Sequence, residues 1–216
     1  MATTDPHHTL VRHAALVHRA LERMLERAVE VASGGTLAEE PLRAGVRDIV
    51  VAIRAHHLQE DEILLPELAR KGVDGAWAQV RADHERLATA LLDVDRAPRA
   101  ELADRLRQLD QLLREHIAHE ESLLDEAGWR SILSADEARA LGKALSTHAR
   151  EHLVPAARQL PLMLYNLDDA ERAEFTAPMP GFVSRGLVPY AFRMSWRPLR
   201  PFFTHPPPRI LGRGQR

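Results

Sequence analysis

His56-His57-Leu58-Gln59-Glu60-Asp61-Glu62-Ile63-Leu64 decides the reading of this chain, because the phrase returns as His116-Ile117-Ala118-His119-Glu120-Glu121-Ser122-Leu123-Leu124. Both run His-x-x-x-Glu, then a second acid, then two aliphatic residues. On a helix, residues four apart lie one turn apart on the same face. Each phrase therefore aims one imidazole and one carboxylate at the same region, as a helix does when it presents two ligands to a metal ion. Two such helices meeting across a core predict room for two metals.

The flanking residues place both phrases on apolar stripes. Ile49 and Ile53 precede His56, and Leu64 follows Glu60; Leu109 and Leu113 precede His116. His84 lies among Trp77, Val80, Leu87 and Leu91. Burying bare carboxylates costs several kcal/mol, roughly, unless they are paired or bound to a cation. His84 has Leu at +3 and +7 (Leu87, Leu91), and so does His18 (Leu21, Leu25). His13 has Leu16 at +3 but Ala20 at +7, so the pattern favours His18. The chain then reads as two halves, each a lone His followed by His-x-x-x-Glu. His57 and His119 read as partners behind the ligands or as surface residues. Asp61, Glu85 and Glu121 are candidates to orient ligand rings through the second ring N–H. His148 and His152, one turn apart, could form a second metal pair but read first as a half-exposed helix face, and His7, His8 and His205 as solvated.

The surrounding signals are helical. Ala, Leu, Arg and Glu dominate residues 9–160, and strand-type alternation is absent. Helices are expected over about 9–32, 41–70 with a disturbance at Pro66, 76–94, and 98–126 ahead of Gly128. Four such helices joined by short loops predict an all-α, up-down-up-down four-helix bundle. An added helix is expected from Ser134 to about Arg158, opened by Ser134-Ala135-Asp136-Glu137 as a capping box and disturbed by Pro155 and Pro161. A short turn follows at Asp168–Glu174, and no regular structure is assigned after Pro178. The organisation is thus a bundle over 9–127, an additional helical segment over 128–174, and a tail over 175–216.

Composition bounds the function. The 216 residues include no cysteine, which excludes disulfides and thiolate metal sites. Met1–Leu10 carries no apolar leader segment and no run reaches the length of a membrane span, so a cytoplasmic protein is expected. Residues 175–216 hold seven arginines and no Asp or Glu, leaving 22 Lys and Arg against 31 acids in the rest, a net of −9. The acidic body argues against nucleic acid as a partner. In the tail, Phe182, Tyr190, Phe192, Trp196, Phe202 and Phe203 alternate with Arg185, Arg193, Arg197 and Arg200. That pattern suits folding back onto the acidic bundle ahead of a membrane surface or a protein partner.

The order His18, His56-x-x-x-Glu60, His84, His116-x-x-x-Glu120 on four helices resembles the hemerythrin-like (HHE cation-binding) domain over about residues 9–127, with His56-His57-x-x-Glu60-Asp61-Glu62 and Leu65-Pro66 similar to its second-helix signature. The resemblance implies a non-haem di-iron centre with His18, His56, His84 and His116 as terminal ligands and Glu60 and Glu120 bridging; manganese and zinc suit the same donors. Oxygen-carrying hemerythrins have a second His four residues after the helix-three ligand, where this chain has Ala88. His57, His119, Asp61, Glu121 or water could fill that place, and an open position favours chemistry over plain oxygen carriage. Expected small ligands are O2, peroxide or nitric oxide, in peroxide disproportionation, sensing or an oxidative-stress response. The alternative is a non-catalytic module for iron or oxygen storage or sensing, whose basic tail contacts a partner or membrane. A ferritin-like site would need Glu-x-x-His pairs, which neither phrase supplies.

Overall fold

Asp5 starts the first helix: its carboxylate accepts the His7 backbone N–H at 3.0 Å, and Pro6 occupies a first-turn position that has no use for an N–H. The computed structural model describes residues 5–123 and 125–205; Leu124, which closes the second phrase, and residues 206–216 of the tail lie outside them. Helix α1 runs Pro6–Gly34 and stops at Gly35, whose φ of 65° suits glycine. Helix α2 runs Glu39–Gln59. It continues through a wider π turn, Glu60–Leu64, into α3, Leu65–Arg70. Pro66 explains the change of pitch, because its ring crowds the carbonyl one turn earlier and it has no N–H to give. The wider turn lets the Leu65 N–H reach the Glu60 carbonyl five residues back.

A 3₁₀ turn at Asp74–Trp77 leads into α4, Ala78–Arg96, and α5 spans Leu102–Leu123. Gly128 does not end that helix as expected. It lies inside a separate short helix, α6, Glu126–Ile132, because the Asp125 side chain captures the Gly128 N–H at 2.5 Å and caps a new start. Ser134 and Glu137 form the expected reciprocal capping box of α7, Ala135–His152. The helix expected to reach Arg158 breaks at Pro155, and α8, Ala156–Leu164, accommodates Pro161. Asp168 and Glu171 form a second capping box on α9, Asp169–Thr176.

The long helices close a ring: α1 packs on α2 and α5, and α4 packs on α2 and α5. Leu21, Leu25, Ile53, Leu87, Leu109 and Leu113 fill its interior. A second apolar cluster joins Leu64, Leu68, Trp77 and Val80 to Trp129, Leu133 and Leu141, seating α6 and α7 on one end of the bundle. No strand occurs among the described residues, and no helix of these is long and apolar enough to cross a membrane.

The tail is more regular than its sequence promises. Val183–Ala191 forms a wide helical turn, followed by α10, Arg193–Trp196, and a 3₁₀ segment, Arg197–Phe202. Val188, Trp196, Leu199, Phe202 and Phe203 are buried in the main core. Polar latches fix this packing. Asn166 donates to the Phe202 carbonyl at 3.1 Å and accepts the Thr204 N–H at 3.1 Å, and Arg158 bonds the buried Asp48 of α2 and the Ser195 carbonyl. Arg185, Arg193, Arg197 and Arg200 make no ion pair with the acidic bundle among the described residues. Hydrogen bonds to tail backbone groups and aromatic burial seat the tail instead.

Glu171 ties α9 to α1 through Arg19 at 2.8 Å and Arg23 at 2.5 Å. Burial works to raise its pKa, yet bonds from Arg19, the Asp168 N–H and Arg23 outweigh it and hold the carboxyl at about 2, below its ordinary 4.5. A carboxyl depressed by folding adds stability above its unfolded pKa and loses it as pH falls through the folded value. Glu171→Gln should therefore lower Tm by about 5 °C at pH 7, on about 2 kcal/mol for bonds to a charged group. Melts at stepped pH should show that difference shrinking between pH 4.5 and pH 2. A deficit that is constant across this window contradicts the assignment.

Candidate metal centre

Four helices deliver seven imidazoles and carboxylates to the bundle interior. His57, His84 and His116 form one set whose ligand atoms lie within 4.8 Å of one another; His18, His56, Glu60 and Glu120 form a second by the same measure. His18 comes from α1, His56 and His57 from α2, His84 from α4, and His116 and Glu120 from α5; Glu60 opens the π turn. All are buried. The six residues singled out by spacing, His18, His56, Glu60, His84, His116 and Glu120, thus come together. His13 does not: it is exposed and stacks on Phe175 at 5.0 Å.

His57 was expected behind the ligands or on the surface; it is part of the cluster. Its ring stacks on His84 at 4.8 Å and meets His116 edge-on at 5.0 Å, whereas His56 meets His18 at 5.0 Å. Successive helical residues point about 100° apart. Helix α2 has α1 and α4 as separate neighbours, so two adjacent histidines each face the interior toward a different one. The doubled His56-His57 was the available signal. Of the groups offered for the place left by Ala88, which is exposed, His57 is the one whose ring stands beside both His84 and His116.

The two carboxylates of the second set also reach the first. Glu60 Oε1 is 3.1 Å from His56 Nε2, while Glu60 Oε2 is 3.0 Å from His84 Nε2 and 3.9 Å from His116 Nε2. Glu120 Oε2 is 3.0 Å from His18 Nε2 and 3.7 Å from His116 Nε2. Each carboxylate therefore touches both sets. Despite this proximity, Nε2 of His18, His56, His57 and His84 has no hydrogen-bond partner, nor has either nitrogen of His116, nor Oε2 of Glu60 and Glu120. Close approach without hydrogen-bond alignment is the arrangement of lone pairs converging on a common centre. Left unpaired, such groups cost about 1–3 kcal/mol each, on the order of 10 kcal/mol together, comparable with the stability of a whole domain. A cation removes that penalty, so the donor set fits a bound metal.

Outer carboxylates orient two of the rings. His18 Nδ1 lies 3.0 Å from Glu121 and His84 Nδ1 lies 2.7 Å from Asp61, which turns each Nε2 lone pair inward. Glu85, the third candidate, is exposed and makes no such contact. His119 is outside the cluster, with its Nδ1 2.7 Å from Asp83. His7, expected in solvent, is buried against the Leu133 carbonyl at 2.9 Å, and His8 meets Glu126.

The electrostatics divide the histidines. Burial works to lower the pKa of His18 and His84, but Glu120 and Glu121 overcome it at His18, raised to about 10, and Glu60 and Asp61 overcome it at His84, raised to about 9. Burial prevails at His116, lowered to about 4, and at His56 and His57, both well below the ordinary value. Glu60 is raised by burial and by Glu120, while Glu120 is held low by His18 despite its own burial. Neutral His56, His57 and His116 already present the form that ligates a metal.

A search of curated proteins and one of solved structures returned no match. The family model described as the hemerythrin HHE cation binding domain matches residues 7–127, a span that holds all seven clustered side chains. With more than half of its length matched and a buried His/Glu set able to hold cations inside the matched span, the chain belongs to the hemerythrin HHE cation-binding domain family.

Proposed function

We propose that this protein holds two iron ions in a carboxylate-bridged centre and binds a small diatomic or peroxide ligand there, in redox chemistry or sensing. The observation that carries the reading is the contact of Glu60 and Glu120 with both ligand sets. His57, His84 and His116 would hold one ion and His18 and His56 the other, with Glu60 and Glu120 within reach of both. Asp61 and Glu121 hold rings in register. Bound iron would supply electron transfer and an open position for the small ligand. An up-down-up-down course for the helices over 9–127 fits their short connections and ring of contacts.

A cavity supports ligand access. About 360 Å³ of space reaches His56, Glu60 and Glu120, and its walls include Leu10, Val17, Leu64, Leu141 and Leu145. Apolar walls admit small uncharged molecules and disfavour ions. Helix α7, beyond the matched residues, supplies one wall, so the added segment helps to define what enters.

Metal analysis after anaerobic purification tests the proposal, with electronic spectra recorded on adding O2, peroxide and nitric oxide. Two irons per chain and ligand-dependent visible bands are expected. Fewer than one iron per chain after reconstitution, with silent spectra, overturns it.

A further inference from the structure

A third group of donors lies apart from the bundle interior. Glu62, His148 and His152 offer ligand atoms within 4.8 Å of one another, and both histidines lie beyond the residues matched by the family model. We propose that these three side chains form a separate, mononuclear site for a divalent cation of the zinc class.

His148 was expected on a half-exposed helix face, yet it is 6% exposed, and its Nδ1 has no hydrogen-bond partner. Its Nε2 hydrogen-bonds a Glu62 carboxylate oxygen at 2.9 Å, which leaves Nδ1 as the ring nitrogen with a free lone pair. His152 is fixed by its own helix, since its Nδ1 lies 3.0 Å from the His148 carbonyl. A carbonyl only accepts, so Nδ1 carries the proton and Nε2 keeps a free lone pair. The same arrangement prepares the metal-binding nitrogen of histidine ligands generally. The two rings stack at 4.0 Å with planes 18° apart, so their edges run side by side.

The π turn makes the site possible. It places Glu60 in the bundle interior and Glu62, two residues on, at the exposed face that meets α7. Two imidazoles and one carboxylate are a donor set that binds zinc with a coordination position left open. An ion held there links α7 to the turn that carries Glu60. The proposal stands on these three residues alone and does not depend on iron in the interior.

Equilibrium dialysis of chelator-stripped protein against Zn2+, followed by metal analysis, tests it. His152→Ala and Glu62→Gln should each bind one zinc fewer per chain than the parent, with unchanged helical circular dichroism. His148→Ala should do the same; if its buried position prevents folding, the two less buried positions decide. His116→Ala should still bind at the third site. Equal zinc stoichiometry in the parent, His152→Ala and Glu62→Gln proteins overturns the proposal, as does a His116→Ala protein that folds and binds none.

Discussion

Glu60→Ala protein is expected to hold no more than one iron per chain. Glu60 turns one oxygen to His56 and the other to His84 and His116. Removing it takes a carboxylate from both ligand sets at once and leaves Glu120 as the one buried anion facing five imidazoles. Two divalent ions would then sit in a low-dielectric interior with half of their compensating charge. The loss should also appear as stability. A ligand at about 1,000 times its Kd stabilises the folded state by about 4 kcal/mol, or about 10 °C in Tm at this chain length. Loading the parent should give a gain of that order, and loading Glu60→Ala less than half of it. Glu85→Ala is the control, since Glu85 is exposed and touches none of the ligand rings. Iron analysis and melting of apo and loaded proteins supply the readout. A Glu60→Ala protein with two irons and the full gain refutes the bridging role.

Phe202→Ala is expected to cost about 3–5 kcal/mol, or about 10 °C in Tm, the range for deleting a buried aromatic side chain. Phe202 is fully buried. Its ring fills the space over Gly45 of α2, where a Cβ would stand 2.0 Å from Phe202 Cε2. This contact gives a sharper test than the single variant. In the parent, Gly45→Ala should destabilise, because ring and methyl cannot share the space. In the Phe202→Ala background the same change should stabilise by about 0.5–1 kcal/mol, the ordinary gain of Ala over Gly within a helix. Four melting curves close the cycle. Additive effects would show that the tail does not rest on α2 in solution.

Local chemistry made much of this protein legible. The repeated His-x-x-x-Glu phrase with its flanking leucines located the six ligand candidates, because a helix converts sequence spacing directly into a shared face. Ser134 with Glu137 marked the start of α7 because a capping box is satisfied within four residues. Pro66 and Pro155 marked breaks, though not their form. At Pro66 the chain widened into a π turn instead of kinking, a choice that also separates Glu60 from Glu62.

What the sequence determined by itself was therefore helical content, the identity of the ligand phrases and the preference for His18 over His13. Tertiary structure alone decided the rest. His57 joined the cluster because α2 faces two neighbours, a fact of packing that no single helix reveals. The aromatic tail became part of the core because Gly45 leaves room for Phe202, a pairing across more than 150 residues of chain. Glu62 met His148 and His152 because α7 folds back across the π turn. Each of these depends on where distant elements dock, and docking is set by the shape of apolar surfaces, which the spacing of residues along one element does not encode.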